Sequence, residues 1–314
     1  MIKLETLLEE GYTGGEIALR LGKDKTTIYR CLAKNIQADG TFDGKKAWEM
    51  VCARKQKANT HYRILPESTL EEFILEKIEL YWSPEQIAGV WKTDHGEPLA
   101  HETIYQYIYK HHPELVHLYL RRKGKKYQKN RKEKYQIDDR RMIDERPEHV
   151  EANKEIGHWE GDTIVGKHHK QGILTNVERK SGLLLATKVP VRSAEAILDA
   201  TKLLFETIPE EYRVSITYDN GKEFAWHKLI EQSTKMTVYF AHPYSPWERG
   251  RNENTNGLLR QFIPKGTDLE TVPEEQLQYY VHLLNGRPRK RHGYLTPYQV
   301  FQKELSQKHN SSCT

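Results

Sequence analysis

Three carboxylates in this sequence stand where an acid needs a reason to be. Asp162 lies in the strand-like run HWEGDTIVG, two residues after Glu160 and on the same face. Asp219 closes the apolar run VSITYD, at a strand end, where side chains reach the crevice of an α/β sheet. Glu253 falls within RGRNENTNGLLRQF, on a segment read as a helix over 247–262. An acid inside a buried strand is costly unless it is paired or binds metal. Three acids converging from two strands and a helix repel one another, and a hard divalent cation resolves that repulsion with oxygen ligands. A pair of such ions would activate a water or 3′-hydroxyl and stabilise the leaving oxygen of an in-line phosphoryl displacement. Each acid taken alone also reads as a surface or strand-edge carboxylate. Glu160, Glu223 and Glu248 compete for membership of the set.

The elements that would position these acids are readable from residue 156 onward. HWEGDTIVG, GILTNVER and GLLLATKVPV predict three strands joined by glycine-containing turns. SAEAILDATKLLFETI follows as an amphipathic helix with Ala196, Ile197, Ala200, Leu203 and Leu204 on one side. VSITYDN is then a strand, WHKLIEQ a helix, MTVYF a short strand, and 247–262 and 273–285 are helices. The order βββαβαβα implies a mixed five-stranded sheet covered by helices.

The N-terminal third is helical. Ile2, Leu4, Leu7 and Leu8 give one apolar face, with Gly11 as the stop. Ile17, Ala18 and Leu21 mark a second helix closed by Gly22. Asp24 is an N-cap for a third, in which Ile28 and Leu32 face inward. Lys25, Thr26, Thr27, Tyr29 and Arg30 then point outward, the pattern of a helix-turn-helix whose second helix enters a major groove. Residues 36–66 read as a linker or short helix. Leu70, Phe73, Ile74 and Ile78 form another stripe, and Ser83-Pro84-Glu85-Gln86 is a helix start with a capping box. Ile87, Val90 and Trp91 are its buried side. HETIYQYIY, with Ile104 and Ile108 inward, completes a second helix-turn-helix candidate, and His101 and Thr103 join the candidate DNA contacts.

The charge is local. The chain carries a formal net charge of +5 over 314 residues. Residues 121–134, RRKGKKYQKNRKEK, hold nine Lys/Arg against one Glu, so the rest of the chain is slightly acidic. Arg121, Arg122, Lys125, Lys126, Arg131 and Lys132 are therefore candidates for phosphate-backbone contact by counterion release, the alternative being a solvated linker. A smaller basic cluster is Arg287, Arg289, Lys290 and Arg291. Cys31, Cys52 and Cys313 are too scattered for a disulfide framework or zinc spacing. The N-terminus is too acidic and broken for a signal peptide, and no apolar run is long enough to span a membrane. A cytosolic protein is the expectation.

Four motifs resemble the insertion-sequence-thirty family of bacterial DDE transposases, within the integrase-like superfamily. They are GHWEGDTIVGK (157–167), YDNGKEFAWH (218–227), YSPWERGRNENTNGLLRQFIPKG (244–266) and LNGRPRKRHGYLTP (284–297). Asp219 and Glu253 are 34 positions apart, as in that family, and Arg260 lies two helical turns after Glu253, where related enzymes carry a basic residue. The resemblance implies a ribonuclease-H-like core and a metal-binding triad of Asp162, Asp219 and Glu253. It further implies Mg²⁺ with Mn²⁺ as substitute, two ions in all. Its N-terminal helices would recognise terminal inverted repeats of duplex DNA, a target DNA would be the second substrate, and at least a dimer would hold two element ends. Two departures stand out: Ala100 occupies the position of a capping Ser, and the chain begins abruptly at the first helix.

The implied organisation is a helix-turn-helix unit (1–36), a linker (37–66), a second such unit (67–120), a basic linker (121–155), the catalytic core (156–305) and a tail (306–314). Asn254 and Asn256 flank Glu253 and would touch DNA or orient that acid. His158 reads as a packed histidine before a ligand or base, and the paired histidines 111–112 and 168–169 as exposed. Tyr244 and Ser245 more simply start the helix bearing Glu253 than serve as nucleophiles. Tyr105, Tyr107 and Tyr109 read as packing residues. The competing functions are a catalytically inactive DNA-binding regulator and a ribonuclease-H-type nuclease; the paired helix-turn-helix units favour duplex DNA.

Overall fold

Helix caps written into the sequence set the first boundaries. In a computed structural model describing residues 1–37, 40–58, 63–121, 139–151, 155–167, 171–243 and 245–311, the chain divides into two units, Met1–Ser68 and Thr69–Thr314. The first unit holds α1 (Ile2–Glu9), α2 (Gly14–Leu21), α3 (Lys25–Asn35) and α4 (Gly44–Ala58). Thr13 and Glu16 form a capping box at the start of α2, and Gly22 ends it in the left-handed region at φ +60°. The Asp24 carboxylate accepts from the Thr26 amide at 2.8 Å and starts α3. Leu4, Ile17, Ala18 and Ile28 form the core of this unit. Ile2, read into the apolar face, is instead 70% exposed, because it sits on the first turn of α1, round the helix from Leu4.

Where the sequence suggests a linker or short helix, α4 runs for 15 residues. Asp43 caps it by accepting from the Lys45 and Lys46 amides, both at 2.9 Å. Ala47 is fully buried, and Arg54 donates to the last-turn carbonyl of Lys34 at 2.8 Å.

The second unit begins with α5 (Thr69–Glu79), α6 (Pro84–His95), α7 (His101–His111) and α8 (Pro113–Tyr119). Ser83 and Gln86 make the expected capping box on α6. Gln86 also donates to the Pro288 carbonyl at 2.8 Å, and Lys290 pairs with Glu85 at 2.6 Å. Gly89 of α6 has no room for a Cβ, because the Tyr294 ring fills that space. Tyr81 packs edge-on against Phe262, and Gln261 donates to the Tyr119 carbonyl at 2.6 Å. The helices of 69–119 are thus joined to the sheet-bearing part by side chains from both sides.

Ala100 caps α7 with no side-chain hydrogen bond, although its backbone (φ −82°, ψ 132°) is the extended geometry an N-cap serine adopts. Ala100→Ser is therefore expected to raise stability by about 1 kcal/mol, read as a higher urea midpoint with an unchanged slope.

After the short α9 (Glu148–Glu151) come β1 (His158–Val165), β2 (Gly172–Glu178), β3 (Leu184–Val189), α10 (Ala194–Glu206), β4 (Ser215–Tyr218), α11 (His227–Thr234), β5 (Thr237–Phe240), α12 (Gly250–Leu259), α13 (Glu274–Asn285) and α14 (Pro297–Ser311). The sheet order is β3-β2-β1-β4-β5. β1–β2 and β2–β3 are antiparallel, while β1–β4 and β4–β5 are parallel. This is the mixed, ribonuclease-H-like sheet the resemblance implies. One face buries Trp159, Phe205, Tyr212, Tyr218, Phe240 and Phe301 under α10, α11 and α14. The other buries Ile164, Ile173, Val177 and Leu184 against Leu258, Leu259, Leu277 and Leu284 of α12 and α13. Among the described residues no helix is long and apolar enough to cross a membrane.

Candidate active site

Strand register brings the two aspartates together. On the parallel pair β1–β4, Glu160 stands opposite Thr217. Asp162 and Asp219 each lie two residues beyond that couple, so they emerge side by side where β4 ends and β1 continues. Two carboxylates from adjacent strands are thereby held close without any loop having to order.

Each carboxylate is fixed from one side. Asp162 Oδ1 accepts from the Thr163 amide at 2.8 Å, and Oδ2 from Asn256 Nδ2 at 3.0 Å. Asn256 is itself held by Thr175 Oγ1, which donates to its Oδ1 at 2.9 Å. Asp219 Oδ1 accepts from the Gly221 amide at 3.0 Å. Burial first, and then the neighbouring charge of Asp162, push the Asp219 carboxyl above the ordinary carboxylate range, although solvent still reaches 36% of its side chain. Between the two lies the guanidinium of Arg249, with Nη2 3.5 Å from Asp219 Oδ2 and Nη1 4.0 Å from Asp162 Oδ1.

The competing acids have other partners. Glu160 is buried and faces α12: its Oε2 accepts from the Asn252 amide at 3.0 Å, and its Oε1 lies 3.3 Å from Arg179 Nε. Asn252 answers by donating to the Glu160 carbonyl at 2.6 Å and the Thr175 carbonyl at 3.3 Å, which ties the start of α12 to both β1 and β2. Glu223 flanks Asp219 and accepts from Thr163 Oγ1 at 2.7 Å and from Arg192. Burial raises its carboxyl, but those hydrogen bonds prevail and hold it below the ordinary value. Glu248 accepts from the His242 amide at 2.7 Å and meets the His242 ring at 2.9 Å. Its hydrogen bond raises the His242 imidazole, which Asp144 faces from the other side at 2.9 Å.

Glu253 lies on the first turn of α12 with its side chain exposed. The side chain that α12 does send to Asp162 is Asn256, read from sequence as a DNA contact or a guide for Glu253. Among the described residues no group of three or more His, Cys, Asp and Glu is assembled around a metal position. The pair Asp162–Asp219 nonetheless suits a divalent cation by its chemistry, with hard oxygens on adjacent strands and a positive charge already drawn between them. Arg260 has its guanidinium on the Val165 carbonyl at 3.0 Å and the Pro264 carbonyl at 3.3 Å, half-buried rather than presented outward. His158 is a packed histidine bonded to Ser215 Oγ at 2.8 Å.

The candidate DNA contacts divide three ways. Lys25, Thr26, Thr27, Tyr29 and Arg30 are all exposed on α3, and the Tyr29 ring lies over Gly14 of α2. On α7, His101 is exposed and Thr103 half-buried; on α12, Asn254 is exposed. Arg121 is exposed beside Gly257 of α12. Arg122, Lys125, Lys126, Arg131 and Lys132 lie outside the described residues, as do Tyr244 and the histidines at 168 and 169. Sequence reading passed over Arg249, Asn252 and Thr175. The signal was present in WERGRNEN, where an arginine and an asparagine bracket the helix start, but their partners are strand residues some 75 to 90 positions upstream.

Residues 152–246 match the integrase core domain family. The chain is 38% identical over 297 residues to the transposase for insertion sequence element IS4351 of Bacteroides fragilis, covering 93% of this chain and 90% of that one. It is 32% identical to the transposase for IS1086 of Cupriavidus metallidurans, over 97% of this chain and 93% of that one. It is also 32% identical to transposase InsI for IS30A of Escherichia coli, over 92% and 79% respectively.

Proposed function

This chain belongs to the IS30 family of insertion-sequence transposases, and on that premise we propose that it binds its element's terminal inverted repeats and uses Asp162, Asp219 and Glu253 to cut DNA strands and join them to a target. The observation that carries this reading is the pair of aspartates side by side, on β1 and just past the end of β4, with α12 pinned to β1 and β2 beside them through Asn252 and Asn256. The third carboxylate is Glu253, from the first turn of α12. Asp162 and Asp219 would hold Mg²⁺, or Mn²⁺ in its place, two ions with Glu253 as the further ligand. Such ions, when bound, activate a water or 3′-hydroxyl and stabilise the leaving oxygen of the displaced strand.

The protein's own part is positioning. Asn256 and the Thr163 amide set the two oxygens of Asp162, and the Gly221 amide sets Asp219. Asn252 holds the helix that carries Glu253 at a fixed height over the strands. The outer face of α3 reads the repeat, the second helical segment and the basic run 121–134 hold phosphates, and two copies bring two ends together.

The direct test is strand transfer of a labelled terminal-repeat oligonucleotide into a target duplex with Mg²⁺ or Mn²⁺. Repeat binding without cleavage would instead indicate a DNA-binding regulator. End recognition has its own check. Arg30→Ala is expected to cost about 1–3 kcal/mol on the cognate repeat and much less on random duplex. Equal losses on both in a binding titration would mean that Arg30 touches only phosphate.

A further inference from the structure

We propose that Arg249 is a resident counter-cation for the aspartate pair, holding the place of the divalent metal in the metal-free protein and competing with it for the site. The inference rests on the reading of Asp162 and Asp219 as metal ligands.

The geometry is that of a loose occupant. The guanidinium reaches both carboxylates, at 3.5 Å and 4.0 Å, yet both separations exceed a charge-assisted hydrogen bond. Among the described residues its hydrogen bond at the site goes to a neutral group, the Gly161 carbonyl, at 3.1 Å. Its Nε is buried with no hydrogen-bond partner among the described residues. An arginine built to lock two carboxylates would use its fork for paired, short contacts. This one neutralises them at a distance and leaves their oxygens available.

A divalent cation on Asp162 and Asp219 would sit at ~2.0–2.6 Å from their oxygens. A guanidinium within ion-pair distance of the same oxygens cannot remain there, since the two cations would repel at close range. The backbone that carries Arg249 is anchored independently. Glu248 is bonded to His242 before it, and Asn252 to Glu160 after it. The exchange is therefore a side-chain movement that leaves α12 where it is. Arg249 relieves the repulsion between the aspartates when no metal is present, and it sets the ion concentration at which the centre loads.

The test is calorimetric titration of the full-length protein with Mn²⁺, without DNA, alongside thermal melting. Arg249→Gln is expected to bind Mn²⁺ about tenfold more tightly than wild type, because the competitor is gone. Its metal-free form should melt lower, and its Mn²⁺-induced rise in melting temperature should be larger. Arg249→Met keeps the apolar stem and should behave alike, so the test stands if the glutamine variant folds poorly. The double variant Asp162→Asn/Asp219→Asn defines the site by losing Mn²⁺ binding. Equal or weaker Mn²⁺ affinity in both Arg249 variants, with binding still lost in the aspartate variant, overturns the proposal and leaves the metal centre standing. Mn²⁺ binding that survives in the aspartate variant overturns both, as does no binding by wild type and Arg249 variants alike.

Discussion

Asp219→Asn will abolish strand cleavage and strand joining together, each falling by about a thousandfold or more, while binding of the terminal repeat stays near wild type. On the proposed function one carboxylate pair serves both steps, so no variant of it should separate them. Asp162→Asn and Glu253→Gln are expected to do the same. The signature particular to Asp219 lies in stability. Its carboxyl is pushed above the ordinary range by burial and by Asp162, and Arg249 does not reverse that. The folded state therefore holds a proton more tightly there than the unfolded chain does. Ionised Asp219 costs stability at neutral pH, and the cost is relieved as pH falls through the raised folded value. Metal-free Asp219→Asn should accordingly melt at or above wild type at pH 7, and the gap should close on acidification. Melting curves across that range, with chelator present, measure it. A variant that melts well below wild type at pH 7 would mean the Arg249 pairing outweighs the repulsion.

Glu160→Ala is the second large effect, and it is structural at its origin. The carboxylate is 2% exposed, accepts from the Asn252 amide, and faces Arg179, which is itself buried. Removing it takes away one of the two acids that face this buried guanidinium, Glu178 being the other, and frees the amide that anchors α12. A cost of about 3–5 kcal/mol is expected, from denaturant unfolding. Glu160→Gln keeps an acceptor for the amide and should lose less. Because Asn252 precedes Glu253 directly, cleavage should fall further in the alanine variant than its folded fraction accounts for. Activity that simply tracks folded fraction would show that α12 is held by Asn252 and its apolar side alone.

The aspartates were legible in sequence because they interrupt apolar strand patterns with no opposite charge beside them. The five strands and the helices between them followed from period and glycine turns, and the capping box at Ser83 from four consecutive residues. What sequence hid was partnership at long range. Glu160 looked equivalent to Asp162 because a strand period of two puts both on one face; only the seating of α12 assigns one to the helix start and leaves the other at the site. Arg249 drew no reading, because the aspartates it faces lie 30 and 87 positions upstream of it. The length of α4 was hidden because, through the part of it whose burial is described, only Gly44 and Ala47 are buried, which leaves almost no apolar stripe to read. Arg260, read two helical turns after Glu253, is the residue that ends α12, and its carbonyl partners belong to a strand end and a turn that spacing cannot show.

Tyr294 filling the space above Gly89 also bears on which pieces of this chain can be exchanged. The helices of 69–119 carry the candidate DNA contacts His101 and Thr103, and a swap of that stretch between relatives is the simplest way to attempt to retarget the protein. But the ring, the Gln86 bond to Pro288 and the Glu85–Lys290 pair all cross from those helices to residues 288–294. A donor cassette with alanine or a larger residue at position 89 would meet that ring head-on. The transferable piece is therefore discontinuous: 69–119 together with the 286–297 loop, inherited as one part although nearly 170 residues separate them in the chain.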